Sequence, residues 1–421
     1  MATILSLPPE ILLQVFEYAT DDLEVLNHTP SWKHYDLSLI RAQSDIPWLA
    51  PSRESEDTAI TLGMVCRYWR PLAVGLGLRH VRVQHALQLR KTLDRLSGTP
   101  DAGKSVKWIT LGLPYTDYRE NLWNEGDTGQ LAGLLKLCPN LEVFAMDMAQ
   151  ARGEIILQSL ASFCGKLKRL HWRGGRAFDV SVSEWTSALP PFSFIEALEI
   201  DSEAEGTAET SENFPPPLCL PSLKHFRLSA LADTPRDLLD GVSTWALPSL
   251  TNLYLAAPDI PCDELPNLFL AFHGSLKSLS LDANTSLKFD MNLLAQTSLE
   301  QLGIYNVVGF ACRPSKPLPS ISTVVIRLFV ERDDRTLISV CRPIRTVAWI
   351  SKENFAQLDQ VVIIGSPIED LDEPCQVAKL GQFEAAGLAC ERWDKQGVRV
   401  VNRRGIRVLR LITNDVPHTR A

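Results

Sequence analysis

The chain has 421 residues, 45% of them hydrophobic and 22% charged, with 42 Lys and Arg against 50 Asp and Glu and a net charge of -8. That length suits two or three domains or one long repetitive one, and the composition excludes wholesale disorder and collagen-like structure. The acidic balance lacks the basic footprint of a duplex-binding protein, so no nucleic acid partner is expected.

The first residues carry no basic region ahead of an apolar run and lack the bias of a transit peptide, so a cytoplasmic or nuclear protein is expected. No stretch offers about 18 consecutive apolar residues, and no membrane-spanning helix is expected. The nine cysteines stand singly without a C-x-x-C pair. They read as buried small hydrophobes rather than a disulfide framework or a zinc site.

Residues 7–19 predict a first helix. Pro8 and Pro9 suit its first turn, where their missing N–H groups would be unpaired anyway, and Glu10 sits at the positive end of the helix dipole. Ile11, Leu12, Val15, Phe16 and Ala19 recur at helical spacing, which gives one apolar face that needs a partner. A second helix is predicted over 58–69, with Leu62, Val65, Cys66 and Trp69 as its buried stripe and Pro71 expected to stop it. Between the two lies an insertion, 20–57. Residues 1–60 hold ten acidic and three basic side chains, and that balance reads as a solvated acidic loop. Its Trp32 and Trp48 either pack back on the helices or anchor a partner.

From residue 106 a pattern of apolar-x-x-apolar-x-apolar returns at Val106, Leu141, Leu167, Ile195, Leu223, Leu250, Leu276, Leu299, Ile321 and Ile344. Most steps fall in the 20 to 29 residue period of leucine-rich repeats. Apolar helix-like segments precede several of the predicted strands, near residues 130, 154 and 263. Loops are predicted at 115–129 and 202–217. Beyond residue 351 the spacing changes, with strands predicted near 361 and 398 and a helix-like stretch over 377–393. This reads as a terminal cap covering the last open core. Residues 391–421 carry eight basic and three acidic side chains and read as a solvated basic tail. A doubly wound α/β domain is the alternative, but it would show longer βα periods and a glycine-rich phosphate loop.

Phosphate-binding loops, a G-x-S-x-G elbow and an H-E-x-x-H helix are all missing, and the histidines are dispersed. No catalytic residue, metal ligand or cofactor is therefore expected.

The two predicted helices carry Leu7, Pro8, Glu10, Ile11, Val15 and Phe16, then Val65, Cys66, Arg67 and Trp69. These match L-P-x-E-I followed by an apolar helix and later V-C-[KR]-x-W, and the region resembles an F-box with a longer insertion than usual. The sequence CPNLEVFAM at Cys138 and the recurring L-P-S-[LI] at Leu220, Leu247 and Leu318 resemble the strand starts of leucine-rich repeats in F-box proteins, including a fungal F-box-like family. The asparagine that normally follows each strand is largely absent, so the units are expected to be irregular.

The resemblance implies an α/β repeat fold. A small all-α F-box-like domain over 1–80, with the inserted loop 20–57, would be followed by an irregular solenoid over 81–350 and a C-terminal capping region and basic tail over 351–421. It implies a noncatalytic substrate-recognition subunit of a cullin-RING ubiquitin ligase of the SCF type. Leu7, Pro8, Ile11, Leu12, Val15, Phe16, Val65 and Trp69 would dock the adaptor subunit, and through it a cullin, with Trp69 mainly joining the helices. The other reading is a leucine-rich-repeat scaffold or regulator outside any ligase.

In each strand the residues between the buried apolar positions point to the solenoid's inner surface. Trp108, Arg169, His171, Arg173, Glu199, His225, Arg227, Asn252, Tyr254, Tyr305 and Arg327 occupy these positions and form the expected substrate surface. Its basic members, Arg169, His171, Arg173, His225 and Arg227, suit an acidic or phosphorylated segment of a protein substrate.

Overall fold

A computed structural model describes residues 7–20, 53–83, 85–99, 101–112, 125–148, 153–174, 182–202, 218–230, 241–256, 269–272, 274–282, 291–305, 314–327, 349–364 and 384–402. Most of the insertion, with Trp32 and Trp48, lies outside these residues, as do most of the 202–217 loop and the basic tail beyond Asn402. The chain divides into two compact units, residues 1–204 with 209–223, and residues 205–208 with 224–421.

The first unit opens with three helices, α1 (Pro9–Thr20), α2 (Arg53–Val65) and α3 (Arg70–Gly77). Pro8 lends its carbonyl to the N–H groups of Ile11 and Leu12, so the double proline starts α1 as its chemistry requires. Leu12, Phe16, Ala59, Trp69 and Leu76 form the core of this helical part, with Leu7, Leu62 and Cys66 partly buried against it. Two expectations are corrected. Pro71 does not end the helical region: the chain turns at Arg67–Trp69, and Pro71 falls in the first turn of α3, where its absent N–H is harmless. Val65 is not part of a buried stripe but is 56% exposed at the end of α2.

Strands β1 (His80–Val83), β2 (Trp108–Gly112), β3 (Val143–Met148), β4 (Arg169–Gly174) and β5 (Ala197–Ser202) follow. Each pairs in parallel with the next in chain order. Strands begin two residues after the predicted apolar starts Val106, Leu141, Leu167 and Ile195 because each enters through the same hydrogen bonds. The N–H groups of Lys107 and Trp108 both donate to the Arg79 carbonyl, those of Glu142 and Val143 to Lys107, and those of Lys168 and Arg169 to Glu142. At this corner Glu142 also bridges the ammonium groups of Lys107 and Lys168, at 2.6 and 2.7 Å. Burial alone would raise the Glu142 carboxyl, but the two lysine hydrogen bonds and charges hold it below the ordinary value.

Val81, Ile109, Phe144, Leu170 and Leu198 lie in one register row, and Val83, Leu111, Met146, Trp172 and Ile200 in another. Both rows are buried. The helices α4 (Ala86–Gly98), α5 (Glu125–Leu137), α6 (Gly153–Phe163) and α7 (Val182–Ala188) connect the strands. They cover this face: Trp172 meets Trp185 of α7 edge-on at 5.4 Å. The loop predicted over 115–129 is shortened at its far end, where Glu125 already begins α5. Acidic residues at 125 and 127 favour a helix start there.

In the second unit, strands β6 (His225–Ala230), β7 (Asn252–Ala256), β8 (Ser278–Asp282), β9 (Gln301–Tyr305), β10 (Thr323–Arg327), β11 (Gln360–Ile364) and β12 (Arg399–Asn402) again pair in parallel in chain order. This is the α/β repeat fold anticipated from the spacing. Ile344 lies outside the described residues, and the strand after β10 begins at Gln360, behind the buried Leu358. The expected capping region thus starts inside the ladder and supplies two of its strands. It is closed by α8 (Glu384–Lys395), whose Trp393 indole N–H donates to the Ile350 carbonyl at 2.7 Å.

Candidate partner-binding surfaces

The helical part of the first unit is apolar outside as well as inside. Ile11 and Val15, one turn apart on α1, are 41% and 47% exposed. Met64, Val65, Tyr68 and Val74 are exposed too, Met64 at 73%. Leu12 and Phe16 are buried, which corrects their place among the docking residues. They brace α1 from within, as Trp69 does through its edge-on contact with Phe16. Pro8 is exposed and Leu7 partly buried. Met64, Tyr68 and Val74 were missed by the sequence reading. The available signal was that they are apolar yet fall off the stripe that packs on α1.

On the sheet face turned away from the helices, the first unit carries two further register rows. One holds His80, Trp108, Val143, Arg169 and Ala197; the other holds Arg82, Thr110, Ala145, His171 and Glu199. Trp108, Arg169, His171 and Glu199 are thus on the face where strand alternation places them. His171 Nδ1 lies 2.9 Å from Glu199 Oε2 with both side chains nearly buried. Arg169 is partly buried and stands in register between Val143 and Ala197. Arg173 occupies a position between Asp147 and Asp201. Among these basic residues His171 thus meets an acidic side chain on the next strand.

At the start of these rows, His80 Nε2 and Thr110 Oγ1 share a hydrogen bond at 3.0 Å, and the His80 ring lies 5.2 Å from that of Trp108. Burial, with help from the Arg82 charge, pushes the His80 pKa down to about 3, so the ring is neutral near pH 7. Trp108 is 4% exposed, and its indole N–H has no hydrogen-bond partner. His80 and Arg82 escaped the sequence reading because the apolar pattern was read from Val106 onward, and Thr110 was passed over within that first unit. The alternation HVRV behind Leu78 was the available signal.

In the second unit, His225, Arg227 and Tyr254 are buried, and the Arg227 guanidinium lies over the Tyr254 ring at 4.1 Å. Asn252 is partly buried and pairs in register with His225. Tyr305 and Arg327 take the last positions of β9 and β10. The five basic residues expected to act together fall in different units: Arg169, His171 and Arg173 in the first, His225 and Arg227 in the second.

Burial pushes the thiols of Cys138, Cys164 and Cys390 up to about 12, so they remain protonated and unreactive near neutral pH. Among the described residues no helix is long and apolar enough to cross a membrane.

No protein-family model matches the chain, and none of the curated proteins does. Among solved structures the chain is similar to the leucine-rich repeat-containing protein LegL7 from Legionella pneumophila, at 13% identity and a TM-score of 0.41, over 80% of this chain and 98% of that one. It is also similar to the Rad7 and Elc1 complex in yeast, at 15% identity and a TM-score of 0.37, over 85% of this chain and 89% of that one.

Proposed function

We propose that the chain is a noncatalytic substrate receptor of a cullin-RING ubiquitin ligase, working in the cytoplasm or nucleus. Its N-terminal helices dock the ligase adaptor, and through it a cullin, while the outer sheet faces of the repeats hold a protein target. The observation that carries this reading is the exposed apolar surface of Ile11, Val15, Met64, Val65, Tyr68 and Val74 around a core that is already filled by Leu12, Phe16, Trp69 and Leu76. A small helical domain whose interior needs none of these side chains, yet which leaves six of them exposed, supports a docking role. The F-box-like pattern that contains Ile11, Val15 and Val65 supports the identity of the partner.

The repeats suit the second role because the alternation of each strand frees one sheet face for variable side chains. The target segment is acidic or phosphorylated, the chemistry that basic side chains on the strands suit. The test is co-purification of the full chain with the ligase adaptor. Ile11→Ser with Val15→Ser is expected to abolish capture and leave the melting temperature unchanged. Equal capture by the folded double variant would remove this surface from the reading, and no capture by the wild type would leave a repeat scaffold outside any ligase.

A further inference from the structure

The turns that lead into the strands of the first unit follow a common plan and share one edge of it. In each, the N–H of a buried entry residue closes on a carbonyl three positions back: Leu141 on Cys138, Leu167 on Cys164, Ile195 on Phe192 and Leu223 on Leu220. The residue just before the entry is Asn140, Lys166, Phe194 and Ser222 in turn. Its polar members stitch neighbouring turns together. The Lys166 ammonium donates to Asn140 Oδ1 and the Ser222 hydroxyl to the Ser193 carbonyl, both at 2.8 Å. Phe194 has no group with which to take part, and it stands 60% exposed.

The ring does not stand alone on this edge. Phe163, at the end of α6, is 38% exposed, and Pro190 and Pro191 ahead of Phe194 are exposed as well. Gly165 and Ser193 occupy the matching places of the two turns, and a Cβ on Gly165 would meet nothing within 4 Å. Scattered apolar side chains on a surface are ordinary, but several on one edge mark a place where another molecule sits. The charge beside them says which kind. Lys136 and Lys166 are exposed, and among the described residues neither is paired with a carboxylate. A molecule that covers the rings therefore meets uncompensated positive charge, in a chain whose net charge is -8.

We propose that this edge, formed by the turns before β3, β4 and β5, docks an acidic peptide segment. An apolar side chain of the segment packs against Phe194 and Phe163, and its carboxylates face Lys136 and Lys166. A peptide is favoured over an anionic lipid surface because Glu142 and Glu196 lie on the same edge beside Lys168. A narrow segment passes beside these carboxylates, whereas a flat negative surface is opposed by them. The site stands apart from the N-terminal helices and does not depend on the ligase reading.

In the experiment the full-length chain, fluorescently labelled, is applied to an array of synthetic peptides in which a central Leu, Phe or Gly is flanked on both sides by Glu or by Gln. Capture is expected on the Glu-flanked Leu and Phe peptides, and at least tenfold less on the Gln-flanked and the Gly-centred ones. Phe194→Ser should lower capture at least tenfold and Lys166→Glu at least fivefold. Ile155→Ser removes an exposed apolar side chain at the opposite end of α6 and should leave capture unchanged. Because Phe194 is exposed, the Phe194→Ser protein is expected to melt at the wild-type temperature. Undiminished capture by folded Phe194→Ser, equal capture on Glu-flanked and Gln-flanked peptides, or no capture by the wild type overturns the proposal. So does sedimentation with vesicles of phosphatidylcholine and phosphatidylserine that is lost in Phe194→Ser, an outcome that gives the edge to a lipid surface instead.

Discussion

The Phe16 and Trp69 rings meet edge-on, 4.7 Å between centroids and 65° between planes, and so tie α1 to the turn that separates α2 from α3. Both rings are buried, whereas Ile11 and Val15 on the same helix are exposed. Substitutions on the two sides of α1 should therefore act differently. Trp69→Ala is expected to cost about 3–5 kcal/mol, enough to melt a small helical domain. Ile11→Ser should stay within about 0.5 kcal/mol of wild type. Thermal melts of the full chain, with limited proteolysis around residues 53–77, separate the outcomes; equal effects would mean that the face assignment is wrong.

His80 sets a pH dependence. Its folded pKa, about 3, lies well below the ordinary histidine value near 6.5, so the unfolded chain binds a proton between those values and the folded chain does not. Stability from this residue is present above about pH 6.5 and is lost progressively as pH falls towards 3. His80→Gln should flatten the decline of the melting temperature between pH 7 and 4. An unchanged slope would show that another group governs acid unfolding.

Gly103 lies in the short 3-10 turn Ala102–Ser105, where an added Cβ would overlap the Leu137 carbonyl at the end of α5. Because the obstacle is backbone, the two segments must separate to admit even one methyl group. Gly103→Ala is expected to destabilise the first unit by about 1–3 kcal/mol through overpacking. Gly98→Ala has nothing within 4 Å of the new Cβ and is the control. Urea unfolding of both variants makes the comparison, and similar midpoints would contradict the close approach.

The strand positions were legible because each repeat buries the same three apolar side chains, as Leu167, Leu170 and Trp172 do in β4. Legibility failed at the N-terminal end, where β1 lies ahead of Val106, whereas the strands predicted near 361 and 398 are β11 and β12. Pro71 was misread for a different reason. The same missing N–H that stops a helix already under way is harmless in the first turn of a new one, and local sequence does not say which applies. Strand alternation puts Trp108 and His171 in the two register rows that face away from the helices. The meeting of His171 with Glu199 depends on register between residues 28 positions apart, which periodicity leaves open. On α1, helical spacing grouped Ile11 with Leu12 and Val15 with Phe16, but the neighbouring helices bury only part of so wide a stripe.

The His171–Glu199 pair supplies the last prediction. Nδ1 and Oε2 are 2.9 Å apart, and the side chains are 8% and 9% exposed, so neither group can exchange its partner fully for water. Removing one side should cost more than the contact itself contributes, because the remaining polar group stays buried. Glu199→Ala and His171→Ala are each expected to destabilise the first unit by about 1–3 kcal/mol. Replacing both by alanine removes the two polar groups together and should cost less than the sum of the single losses. In a double-mutant cycle the deviation from additivity should exceed about 0.5 kcal/mol, as expected for residues in direct contact. The readout is equilibrium urea unfolding at neutral pH, followed by a signal from the first unit. Additive losses would mean that the two residues stabilise the sheet independently and that their pairing does not fix the charge pattern of the outer face.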